Sequence, residues 1–130
     1  MKSLKVLLVL AVLGAYPAVA LAHRKPNKTQ RAALVKAFNR GVKTPTPAKC
    51  LSEEISTVNT SWAWVEFGFD SSGHLPSGCL KFAANGRTIF HFKAGKWRFV
   101  TAGSSFVDSN GGCSLNKKMP PKVVKDLGLC

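Results

Sequence analysis

Four cysteines, at positions 50, 79, 113 and 130, constrain this chain more than any other feature of its sequence. What they can become depends on the compartment, and the first residues name one. Lys2 and Lys5 precede an apolar run from Val6 to Ala15, Pro17 follows as a turn, and Ala20-Leu21-Ala22 supplies the small residues of a cleavage site. This pattern reads as a secretory signal over residues 1–22, so that the mature chain starts at His23 and is secreted. The apolar run is about ten residues, whereas a bilayer-spanning helix takes about 20, so no transmembrane anchor is expected after cleavage. No cysteine follows the run to accept a lipid.

In an oxidising compartment an even cysteine count reads as two disulfides. Three pairings are possible, and loop closure favours the sequential one, Cys50 with Cys79 and Cys113 with Cys130. Each such loop stabilises by about 3–4 kcal/mol on a chain-entropy account. Zinc is the rival use of four thiols, but no Cys-x-x-Cys pair exists to start such a site. Removing 22 of the 130 residues leaves a single domain, long enough for a modest core and small enough to profit from covalent staples.

Charge is the second constraint. The chain carries 19 Lys and Arg against 6 Asp and Glu, and losing Lys2 and Lys5 takes the formal net charge from +13 to +11. Residues 23–49 hold eight cations and no acid, and residues 81–98 hold five and no acid. Such a chain is drawn to anionic surfaces and polymers, although high charge also serves plain solubility.

The organisation expected is one α+β domain: an N-terminal helix packed on a three- to four-stranded antiparallel meander, a short C-terminal helix and two disulfides. Residues 23–49 form its basic arm, helix and linker, and residues 50–130 its disulfide-stapled, β-rich part. "HRKPNK" reads as mobile, Thr29 as the cap of a helix running to Gly41, and "VKTPTPAK" as a linker. Leu34, Ala37 and Phe38 form the apolar stripe of that helix. "EEISTVNTS" and "WAWVEFGF" read as strands, the second with Ala63, Val65, Phe67 and Phe69 on one face and Trp62, Trp64 and Glu66 on the other.

Asn85-Gly86 between two apolar runs predicts a type I′ hairpin that pairs Phe82 with Ile89 and Leu80 with His91 on one face, and places Arg87 at the exposed end. Ala94-Gly95 predicts a second turn, after which "KWRFVTA" returns as a strand. The aromatic and basic residues of "FHFKAGKWRFVT" then largely separate onto opposite faces. Pro120-Pro121 opens a short helix, Gly128 ends it, and Val123, Val124 and Leu127 pack inward.

Trp62-Ala63-x-Val65, Gly95-x-Trp97-Arg98-x-Val100 with Gly103-Ser104-Ser105-Phe106, and the run Pro121-x-Val123-Val124-x-Asp126-Leu127-x-Leu129-Cys130 together resemble a set of small exported actinobacterial proteins of unknown function. The resemblance covers roughly residues 30–130, implies export and two disulfides, and brings no catalytic residue with it. More loosely, the helix and curved meander are similar to cystatin-like and nuclear-transport-factor-like α+β folds, which assigns no function.

Chemistry has few candidates. Glu66, Arg87 and His91 or His74 have the residue types of a small secreted ribonuclease: a base, an acid and a cation for the phosphate. No motif fixes their spacing. An N-terminal His23 exposed by cleavage has an amine and an imidazole that chelate copper, with His74 or His91 as a further ligand, but a mobile tail preorganises nothing. Ser104 and Ser105 lack the Gly-x-Ser-x-Gly elbow of a nucleophile. No phosphate-cradling glycine loop is present, and neither a cofactor nor a metal is expected.

The reading that follows is a secreted, non-enzymatic interaction module that meets an anionic surface or polymer through Arg24, Lys25, Lys28, Arg31, Lys36 and Arg40. A small ribonuclease-like hydrolase is the alternative, and an inhibitor of an extracellular hydrolase the third.

Overall fold

A computed structural model describes residues 23–130; the expected signal segment lies outside them. In chain order the elements are β1 (His23–Arg24), α1 (Lys28–Phe38), β2 (Leu51–Ser56), β3 (Trp62–Phe67), β4 (Arg87–Lys93), β5 (Lys96–Gly103) and α2 (Pro121–Asp126). The sheet is an antiparallel meander whose strand order, β1-β2-β3-β4-β5, follows the chain. The α+β class and the sequential disulfides, Cys50–Cys79 and Cys113–Cys130, are those expected, and the sheet has five strands instead of three or four.

The alternation in "WAWVEF" explains the layering. Ala63, Val65 and Phe67 face α1 and pack with Leu34, Ala37, Leu51, Ile55, Phe90 and Trp97. Trp62 and Trp64 point the other way, against Ile89, Phe106, Leu115, Met119 and the inward side of α2. One sheet thus separates two cores, and a central strand apolar on both faces is what that arrangement requires. Val123, Val124 and Leu127 are buried as expected, with Pro121 in the first turn of α2 and Gly128 at φ +62° beyond its end.

Three expectations need correction. The segment "HRKPNK" is ordered: β1 pairs with β2 through His23↔Ser56 and Arg24↔Ile55, and Lys25 Nζ reaches Glu54 Oε1 at 2.8 Å. The open edge of β2 and its carboxylate give that basic stretch partners that composition alone did not reveal. The helix cap is Asn27 and not Thr29. Asn27 Oδ1 accepts from Gln30 N at 2.8 Å while Gln30 Oε1 accepts from Asn27 N at 3.1 Å, a reciprocal box that satisfies two orphan donors at once.

The third correction concerns Asn85-Gly86, which joins no hairpin. Residues 80–82 form a 3-10 turn, Leu80 is 81% exposed, Phe82 is half-buried on the α1 side, and Ile89 is buried on the other. The disulfide to Cys50 holds Cys79 at the start of β2, and β4 finds in β3 a longer apolar partner, pairing Ile89 with Trp64 and Phe90 with Ala63. Gly86 is needed for a different reason: at φ +105° a Cβ there would meet Gly103 O at 2.6 Å.

The Ala94-Gly95 turn is as expected, with φ +51° and +76° and Lys93 opposite Lys96. Past it, the β4–β5 register shifts between Ile89 and Phe90, so that Phe90 faces Phe99 while Ile89 faces Thr101.

Candidate functional site

Of the expected catalytic set, the structure brings together Glu66 and Arg87. They follow the last paired rung of β3 and β4, Val65↔Thr88, and Arg87 Nε donates to Glu66 Oε2 at 3.0 Å. Arg87 Nη1 donates to Gly128 O at 3.0 Å, and its guanidinium carbon lies 4.6 Å from the Trp64 ring centroid. Arg87 is therefore a structural clasp between the sheet and the segment after α2, and not the free hairpin end expected from Asn85-Gly86. Together with Gly103, Ser104 and Ser105 the pair borders a polar cleft of about 370 Å³.

No histidine joins them. His91 shares their face but lies four residues along β4, about 13 Å at strand rise. The Trp64–Ile89 rung stands between. The His91 ring stacks on Trp62, with centroids 4.0 Å apart and planes 7° from parallel. Burial, and then the charge of Lys93, hold its pKa below the ordinary histidine value. His74 sits in an exposed loop with Nδ1 3.9 Å from Asp70. His23 Nδ1 lies 3.1 Å from Glu54 Oε2, and among the described residues no group of three or more His, Cys, Asp or Glu gathers as a metal site.

Electrostatically, the governing fact is how the acids are used. All six of the chain's Asp and Glu residues lie among the described residues, and each has an internal partner. Glu53 accepts from Arg31 Nε at 3.0 Å beneath α1, Glu54 pairs with Lys25, and Glu66 pairs with Arg87. Asp70 accepts from the amides of Ser72 and His74, and Asp108 from those of Asn110 and Gly112, each closing its own loop. Asp126 accepts from Ser56 Oγ at 2.6 Å, from Thr57 N at 2.8 Å and from Thr57 Oγ1 at 3.0 Å.

Two of these carboxyls are perturbed in opposite senses. Burial raises Glu53 above the ordinary glutamate value despite the bond from Arg31, and among the described residues its Oε1 has no hydrogen-bond partner. Burial also pushes Asp126 upward, but the bonds from Ser56, Thr57 and Val58 outweigh it and leave its pKa lowered.

The six cations expected to bind anions fall into different situations. Lys28, Arg31 and Lys36 line a groove of about 430 Å³ with Ala32, Val35, Asn39 and Ala48, between α1 and the chain leading into β2. Arg31 is held there by Glu53 and by Ala48 O, to which its Nη2 donates at 2.8 Å. Arg24 donates to Gln30 Oε1 at 3.2 Å, and Lys25 is tied to Glu54. Arg40 lies apart, beside Phe90 and Phe99. Among the described residues only Lys25, Arg31 and Arg87 of the Lys and Arg side chains are in ion pairs with carboxylates. The sequence carries the signal for this, six acids against nineteen cations, but not which acids the fold consumes.

Comparison with protein-family models, with curated proteins and with solved structures finds no match to this chain.

Proposed function

We propose that the protein is a secreted, non-enzymatic interaction module that binds an anionic macromolecule through its cationic surface. The observation that carries this reading is the complete internal commitment of the carboxylates while, among the described residues, most lysines are in no ion pair with a carboxylate. A surface with cations and no uncommitted acids sums to a field of one sign, which raises the local concentration of a polyanion and speeds its encounter. The groove bearing Lys28 and Lys36 gathers three of these cations, with Arg31, along one side of α1. The absence of a histidine beside Glu66 and Arg87 supports binding over hydrolysis, because acid–base transfer needs its groups within hydrogen-bond reach of one substrate.

Retention on heparin and on polyphosphate across a salt series tests the reading. Binding should weaken linearly on a log–log salt plot, and the Lys28→Ala/Lys36→Ala variant should flatten the slope by about two units for a polyphosphate. Absence of binding at low salt, or a slope untouched by the double substitution, overturns it.

A further inference from the structure

β5 is the outer strand of the sheet, and among the described residues nothing pairs with its free edge. It is eight residues long and contains no proline. The hairpin geometry says which groups are open. In a two-residue type I′ turn the residues flanking the turn exchange hydrogen bonds, and the pairs then alternate. Lys93↔Lys96 is the flanking pair, so Trp97 and Phe99 direct their N–H and C=O groups away from β4.

Side chains alternate with the same period. Trp97 and Phe99 lie on the α1 face, Trp97 buried and Phe99 64% exposed. Lys96 and Arg98 point to the opposite face and are exposed. No acid occurs between Asp70 and Asp108. Long free edges are commonly blunted by cations, and these would oppose their own kind if a second copy paired here. The same cations favour a strand of opposite charge.

We infer that the β5 edge is a docking site for an extended acidic segment of a partner protein, which adds as a sixth strand with apolar side chains beside Phe99 and carboxylates beside Lys96 and Arg98. Main-chain bonds to Trp97 and Phe99 supply affinity, and the alternation supplies selectivity, as in other strand-addition complexes. The inference rests on the anionic-partner reading and narrows it to a polypeptide of stated pattern.

The test uses the whole protein and two labelled synthetic peptides of identical composition, one alternating valine with glutamate and one with the glutamates in a single block. The alternating peptide should bind more tightly, and binding should slow hydrogen exchange at the Trp97 and Phe99 amides. Phe99→Pro removes an outward N–H without touching the β4 ladder and should weaken the alternating peptide about threefold to tenfold. Lys96→Glu/Arg98→Glu keeps every main-chain group and should abolish the preference for the alternating peptide, which guards against a proline variant that fails to fold. Equal binding of both peptides, protection elsewhere than on β5, or self-association through this edge in place of peptide binding overturns the inference. Binding of polyphosphate without the alternating peptide overturns it while leaving the broader reading intact, and binding of neither removes both.

Discussion

Asp126 Oδ2 and Ser56 Oγ lie 2.6 Å apart although 70 residues separate them in the chain, and Ser56 is wholly buried. The contact ties α2 to the end of β2 and the turn that follows. Asp126→Ala removes the acceptor of that buried hydroxyl and should cost about 2–3 kcal/mol in denaturant unfolding. The folded-state pKa of Asp126 lies below its ordinary 3.8, so this contribution is full above that value and is lost as pH falls through the folded one. The variant should therefore lose less stability than the parent on acidification, and parallel acid limbs would contradict the assignment.

Glu53 should behave in the opposite way. Its raised pKa means that the folded state holds a proton more tightly than the unfolded chain, so stability falls as pH rises from the ordinary 4.5 through the raised value. Glu53→Gln removes this titration and keeps an acceptor for Arg31. The stability of the variant relative to the parent should rise across that window and then level off, measured by thermal unfolding at a series of pH values. A difference independent of pH would show that Glu53 is not desolvated.

His91 offers a readout by NMR. Its titration should fall below the ordinary 6.5 because burial against Trp62 disfavours the cation, with Lys93 adding repulsion. Lys93→Ala should move the midpoint part of the way back up, and a midpoint insensitive to Lys93 would leave burial as its sole cause. With the folded value depressed, this histidine removes stability as pH falls through 6.5 toward it.

Phe90 is a core residue and Leu80 a surface one, although the Asn85-Gly86 hairpin would have buried Leu80. Phe90→Ala, at a site 2% exposed, should cost about 3–5 kcal/mol. Leu80→Ala, on the 3-10 turn, should change stability by no more than about 0.5 kcal/mol. A large loss at Leu80 would restore the hairpin that Asn85-Gly86 suggests.

The N-terminal segment gives a further check. Because β1 pairs with β2 and Asn27 caps α1, deleting residues 23–27 should lower the melting temperature, where a mobile tail would leave it unchanged. Asn27→Ala alone should cost about 1 kcal/mol.

These cases mark what the residues disclosed and what they withheld. The two faces of β3, the Ala94-Gly95 turn, the inward residues of α2 and the pairing of the cysteines were legible because each depends on local period or loop length. The Asn85-Gly86 signal misled because it competes with a disulfide that draws Cys79 toward Cys50, and local turn propensity cannot weigh a covalent tie to residue 50. The two-residue β1 has no period to detect. The clasp of Arg87 with Glu66 and Gly128, and that of Asp126 with Ser56, join positions far apart in sequence, and no short-range pattern encodes either. For the binding surface, the excess of cations was visible from composition, whereas the consumption of every carboxylate required the fold.

The two cores also differ in when they can form. Residues 51–103 complete the whole sheet except β1, and α1 precedes them, so the α1-side core can close while synthesis is still under way. Trp62, Trp64 and Ile89 must wait for Phe106 through Leu129 to arrive. Until then a half-made molecule presents a bare aromatic wall to its surroundings, which makes the interval before Cys113 and Cys130 join the period of greatest exposure to aggregation and to chaperone capture.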